Sequence, residues 1–151
     1  MEEAFALAEE AAADGEIPIG AVIVDRDGNI IGRGRNRRES GDPLGHAELF
    51  AIAEAAKAIG DWRLEGTTMV VTLEPCAMCA GALVNARVDR LIFAAPDPKA
   101  GFCGSLGNLV QDPRLNHRLE VIGGFEEQRS RDLLQRFFQN LRNRTERWQS
   151  G

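Results

Sequence analysis

At 151 residues the chain has room for one domain around a single core, and its 44% hydrophobic and 27% charged composition is that of a folded globular protein. No apolar run approaches the roughly 20 residues needed to cross a bilayer. A net charge of −5 with a pI near 5.1 argues against a surface built mainly to hold nucleic acid. Three cysteines are too few for a disulfide scaffold, so the close pair Cys76 and Cys79 asks for a metal or a redox role in a reducing compartment. The acidic start Met1-Glu2-Glu3, unlike the basic head of a signal peptide, predicts the cytoplasm. The average charge hides an asymmetry. Residues 1–16 carry acids and no base, whereas from Gln128 onward Arg129, Arg131, Arg136, Arg142, Arg144 and Arg147 outnumber Asp132 and Glu146.

In chain order, residues 2–14 are rich in Ala and Glu, with Phe5, Ala8 and Ala12 at helical spacing, and predict a helix. Ile17 to Val24 is rich in β-formers, and Asp27-Gly28-Asn29 is a turn signal before Ile30-Ile31, so a hairpin is expected. His46 to Ile59 places Leu49, Ile52, Ala56 and Ile59 on one face and predicts a half-buried helix. Thr67 to Leu73 reads as a short strand, and Pro75 suits the first turn of a helix running to about Ala86. Val88 to Ala95 is the next strand, and this strand–helix–strand succession is the pattern of a parallel crossover. Leu119 to Ile122 predicts a fifth strand before Gly123-Gly124, and a last helix aligns Leu133, Phe137 and Leu141, with Leu134 and Phe138 beside them. No linker or repeat divides the chain, so residues 1–151 are expected to form a single domain. Its expected class is an α/β sandwich of three layers, α/β/α, with a mixed sheet of about five strands.

Two short motifs carry chemistry. The chain holds two histidines, one of them in His46-Ala47-Glu48, and a Cys-x-x-Cys in Pro75-Cys76-Ala77-Met78-Cys79. Sulfurs at a helix start face the positive end of the backbone dipoles, which favours thiolates. One imidazole and two thiolates make a three-ligand Zn2+ site whose fourth position is open to water, the mark of a catalytic rather than a structural site. Residues two apart on a helix do not share a face, so His46 is expected at the helix entrance and Glu48 in its first turn. Glu48 then touches the water rather than the metal, and moves its proton to a ring nitrogen and a departing amine. Taken singly, a Cys-x-x-Cys is also a redox pair or two half-buried cysteines, and a His-x-Glu an ordinary helix start.

Together these motifs match the zinc-deaminase signature. The chain resembles the cytidine and nucleotide deaminase superfamily, and within it the bacterial tRNA wobble-adenosine deaminases. The resemblance runs from Ile17-Pro18-Ile19-Gly20-Ala21-Val22 to the Phe137-Phe138 helix, and is densest from Val71 to Ala82. It continues through Asp97-Pro98-Lys99-Ala100-Gly101, Gly104-Ser105-Leu106 and Asn116-His117-Arg118. It implies a cytidine deaminase-like fold, one zinc per subunit and a homodimer. The implied substrate is a tRNA anticodon stem-loop bound across both subunits, its wobble adenosine hydrolysed to inosine with release of ammonia. By the same resemblance Asn36 bonds the flipped base, Asp97 touches a flanking nucleotide, Lys99 a phosphate, and Asn116, His117 and Arg118 face the RNA. From spacing alone, Asp97 and Lys99 are solvated loop charges and His117 a surface or capping histidine.

Departures from the family pattern are Leu44-Gly45 where Thr-Ala is usual before the histidine, Ala100 where Thr is common, and a short first helix in an acidic chain. Leu44 and Gly45 are expected to border the pocket. They and the low pI motivate an alternative, a zinc-dependent deaminase of a free guanine- or cytosine-type base or nucleoside. A non-catalytic, zinc-stabilised RNA-binding module is the third reading, against which Glu48 speaks, because a structural site does not need it.

Overall fold

The computed structural model describes residues 1–150 and holds five strands and four α-helices. Helix α1 (Glu2–Ala13) precedes a hairpin of β1 (Gly20–Val24) and β2 (Ile30–Arg35). Helix α2 (Ala47–Ile59) leads to β3 (Thr68–Leu73), α3 (Ala77–Asn85) and β4 (Arg90–Ala95). β5 (Glu120–Gly123) and the long α4 (Glu127–Ser150) complete the chain. The sheet order is β2-β1-β3-β4-β5, with β1 antiparallel to β2 and β3, and β3, β4 and β5 parallel. The mixed five-strand α/β architecture is as expected.

The hairpin turn is shaped by Asp25, whose Oδ1 accepts the amides of Asp27 (3.0 Å) and Asn29 (2.9 Å), and by Gly28 at φ 85°. Alternation along the strands sends two sets of side chains to opposite faces. Ala21, Ile23, Met69, Val71 and Leu91 pack with Ala47, Ala51 and Ala55 of α2 and Leu83 of α3 in the main core. On the other face Val22 and Val70 meet Leu7 of α1, and Ala94 meets Phe5, Ala8 and Leu133. Helix α2 lies unusually close to the sheet, because β2 offers Gly32 and Gly34 beneath it. A Cβ on Gly34 would collide with the Ala47 carbonyl and stand 2.8 Å from the Ala51 nitrogen. That approach seats the N-terminus of α2 over the end of the sheet.

The charge asymmetry resolves into pairs between α1 and its neighbours. Glu3 meets Arg33, Glu10 and Asp14 both meet Arg35, and Glu2 meets Arg129. Each is exposed and contributes little to stability. No helix among the described residues is long and apolar enough to cross a membrane.

Candidate metal centre and substrate pocket

The parallel strands β3 and β4 end at the same edge of the sheet, and because β1 runs antiparallel its beginning lies there too. Crevices beyond the carboxyl ends of parallel strands are where open α/β sheets bind ligands. Here the crevice is a cavity of about 410 Å³. It collects Ile17 and Ile19 before β1, Asn36 and Arg38 after β2, Leu73 and Glu74 at the end of β3, and the segment Pro96–Ala100 after β4. His46, Glu48 and Cys76 also line it.

Two helix starts supply its chemical groups. His46 is the N-cap of α2 and Cys76 the N-cap of α3, both with extended backbone, while Glu48 and Cys79 fall in the first turns that follow. The His46 Nδ1 lies 3.5 Å from the Sγ of Cys76 and 3.5 Å from the Sγ of Cys79. The three donor atoms are all within 4.8 Å of one another. Zinc bonds of ordinary length at tetrahedral angles put a nitrogen and a sulfur about 3.6 Å apart. The donor set therefore fits zinc in kind, in number and in spacing.

The electrostatics prepare these ligands. A hydrogen bond from Cys79 draws the Cys76 thiol down to about 5 against its burial, helped by the amides of Cys79 and Met78 and by His46. Cys79 is pushed up by its interaction with the Cys76 sulfur, by burial and by the neighbouring Glu48. Binding of a cation releases the thiol protons, because sulfur ligates as thiolate. Glu48 is only 4% exposed, and burial drives its carboxyl above the usual carboxylate value, with the neighbouring Cys76 adding to the rise.

The remaining expected residues divide into two groups. Asn36, 4% exposed, lines the pocket, and its backbone N–H donates to the Ile19 carbonyl at 3.1 Å. Asp97 and Lys99 also line it. The Asp97 Oδ1 is turned onto its own loop, where it accepts the amides of Lys99 (3.1 Å) and Ala100 (3.3 Å). Asn116, His117 and Arg118 are elsewhere. The His117 Nε2 lies 2.7 Å from the carbonyl of Val88, just before β4, and Arg118 donates to the Pro113 carbonyl at 2.5 Å. The six residues of β4, about 20 Å at 3.3 Å per residue, separate that contact from the pocket at the strand's far end. Leu44 and Gly45, expected to border the pocket, do not line it. Leu44 is 59% exposed, and Gly45 packs under the Arg37 backbone, where a Cβ would stand 3.0 Å from the Arg37 carbonyl carbon.

Four pocket residues escape a reading of the sequence. Glu74 closes an apolar strand and carries only the signal of standing beside Pro75-Cys76. Arg38 follows Asn36 with no signal of its own. Leu134 and Phe138 of α4 reach the pocket wall because Ser130, one turn earlier on the same face, is buried and donates to the Thr72 carbonyl at 2.5 Å.

Comparison with known proteins agrees with this geometry. Residues 1–95 match the family described as the cytidine and deoxycytidylate deaminase zinc-binding region. The tRNA-specific adenosine deaminase of Bacillus subtilis is 50% identical over 145 residues, covering 95% of this chain and 89% of the relative. The chain belongs to the tRNA-specific adenosine deaminase family. A solved structure from work on A-to-I editing by tRNA:A34 deaminases at the wobble position of transfer RNA aligns with a TM-score of 0.84 and 43% identity, covering 89% of this chain and 97% of that one. The guanine deaminase of Nitrosomonas europaea shares the fold at a TM-score of 0.78 with 23% identity, covering 90% of this chain and 81% of that one. The matched family is zinc-binding, and His46, Cys76 and Cys79 form a group positioned to hold such an ion.

Proposed function

We propose that this protein is a single-domain zinc deaminase that hydrolyses the wobble adenosine of a tRNA anticodon to inosine and ammonia. The observation that carries the reading is a buried Glu48 beside an open three-donor centre, in a chain half identical to a tRNA-specific adenosine deaminase. His46, Cys76 and Cys79 hold the zinc, which when bound acts as a Lewis acid and brings the pKa of water to about 7.

The chain's own residues do the rest. Glu48 accepts a proton from the attacking water and delivers it to the ring nitrogen, then takes the second proton from the hydroxyl added to the ring carbon and delivers it to the amine, which departs as ammonia. Burial raises the carboxyl above the ordinary carboxylate value, the direction that favours a group which must take up a proton as well as release it. Asn36 holds the base edge from the buried end of β2. Ile17, Ile19, Leu134 and Phe138 give the ring an apolar enclosure that keeps out bulk water. Asp97 shapes the loop that presents Lys99 to the flanking backbone.

Asn116, His117 and Arg118 are too far from the pocket of their own chain to touch the target base. This supports a homodimer in which they meet RNA seated mainly on the partner. Mixing Glu48→Gln chains with Asn116→Ala/Arg118→Ala chains should restore activity that neither has alone. A mixture no more active than its components argues against shared sites. The same reading locates the protein in the cytoplasm, with tRNA.

The deciding experiment incubates the pure protein with an anticodon stem-loop carrying wobble adenosine and, separately, with free guanine, cytidine and adenosine. Inosine formed in the stem-loop supports the proposal. Ammonia released from a free base, with the stem-loop untouched, replaces it with a nucleobase deaminase.

A further inference from the structure

Glu74 is a carboxylate placed where an apolar strand ends, 3% exposed, two residues before a zinc ligand. Its partners are all neutral donors from one segment beyond β4. Oε1 accepts the Asp97 amide at 3.0 Å and the Ser105 hydroxyl at 2.5 Å. Oε2 accepts the amides of Cys103 at 3.0 Å and Ser105 at 3.1 Å. A buried carboxylate is costly unless its lone pairs are filled, and here the backbone fills them as it does around a bound anion.

The same segment is clamped to the metal junction a second time. The Phe102 amide donates to the Pro75 carbonyl at 2.9 Å, and Cys76 and Gly101 form an isolated antiparallel bridge. Gly101 passes so close that a Cβ there would strike Glu74 Oε2. The chain of dependence is short. The Asp97 amide hangs on Glu74, the amides of Lys99 and Ala100 hang on Asp97, and Pro96 to Ala100 are one wall of the pocket. The zinc helix and that wall thus share one anchor.

We propose that Glu74 is a positioning residue that sets the 97–100 wall against the metal helix and thereby fits the nucleotides flanking the target base. The second half rests on the stem-loop reading above. Although Glu74 lines the pocket, both of its oxygens are taken up by Asp97, Cys103 and Ser105 and it bonds none of the three metal donors, so its effect falls on substrate fit rather than on the chemical step.

The test is Glu74→Gln, equal in size but with an amide NH2 turned toward backbone N–H groups. KM for the anticodon stem-loop is expected to rise about tenfold, the loss of one charge-assisted bond, while kcat stays within about threefold. Bound zinc should remain one per chain. Hydrogen exchange should quicken at the amides of Asp97, Cys103 and Ser105. Ser105→Ala, which removes one donor and leaves the three amides, should act in the same direction but less, and non-additively with Glu74→Gln. Gly101→Ala should reproduce the phenotype with Glu74 intact. A fall in kcat at unchanged KM, or loss of zinc, overturns the proposal by making Glu74 part of the metal centre. Unchanged exchange and unchanged KM overturn it by making Glu74 inert. If the wild type does not act on the stem-loop, the functional reading fails, while the exchange rates still decide the anchor.

Discussion

Gly34 of β2 stands directly under the first turns of α2, the helix that presents His46 and Glu48. A methyl group added there would overlap the Ala47 carbonyl oxygen and lie 2.8 Å from the Ala51 nitrogen and 2.9 Å from the Phe50 Cβ. Non-bonded atoms rest about 3.2–4.0 Å apart, so relief of all three contacts, the tightest of them to the Ala47 oxygen, needs a helix shift of more than about 1 Å. Helix backbone offers no rotamer to yield, which makes this overpacking of the costlier kind. The expected loss is about 1–3 kcal/mol, or roughly 3–9 °C in Tm for a chain of this length. The functional loss should be larger. Reacting groups must be held to within about 0.5 Å, and a 1 Å misplacement costs on the order of 100-fold in rate. Gly34→Ala is therefore expected to lower kcat/KM for the stem-loop by about two orders of magnitude and to weaken zinc retention against a chelator. Gly32→Ala is the control, because its methyl would meet Ala51 and Ala55, further along the helix from His46. It should cost similar stability with a smaller loss of activity and zinc. The assays are thermal unfolding, zinc release and stem-loop turnover. If Gly34→Ala matches wild type in Tm and activity, or the two variants lose activity equally, the seating of α2 does not govern the site.

Further outcomes follow from single groups. Glu48→Gln should keep its zinc, measured by metal analysis, and lose about 100- to 10,000-fold in turnover; full retained activity would remove Glu48 from proton transfer. Arg38 and Lys99 are the two cations lining the pocket, and Gln at either should reduce the slope of log KM against log salt by about 0.7 for a single-stranded loop. Slopes equal to wild type would leave both as solvated charges. Truncation after Gln139 removes exposed turns of α4, including Trp148 at 88% exposure, and should weaken RNA binding and flatten its salt dependence without lowering Tm; an unaltered slope refutes a role for that arginine tail. Asp112 is held down to about 2 by Arg114, through its guanidinium and its amide. A depressed carboxyl contributes to stability above its ordinary value near 3.8 and loses that contribution as the pH falls toward 2. Carbon-detected titration should find the Asp112 midpoint near 2 and find it raised in Arg114→Ala; a midpoint that stays put denies the pairing.

What was legible in the chain by itself was whatever rests on local spacing. The period-two and helical patterns, Asp25–Asn29 as a turn and Pro75 at a helix start depend on near neighbours, and the five strands and four helices follow from them. The donor set was legible for the same reason. His46 and Glu48, and Cys76 and Cys79, are each fixed relative to one another by a single helix turn, whatever else surrounds them. What only the tertiary structure decided are relations between distant segments. It selects which of two adjacent α4 rows meets the core and which the pocket. Leu133 and Leu134 are alike in sequence, and the Ser130 bond to Thr72 turns Leu134 and Phe138 inward to the site. It ties His117 to Val88 and leaves Leu44 in solvent, although both stand in stretches that resemble substrate-facing segments. It also gives Glu74 its four donors, which come from residues 97–105 and are brought to it only when β4 pairs with β3. Hydrogen bonds across so many residues leave no periodicity behind, so a buried acid reads in sequence as one more charged residue at the end of a strand.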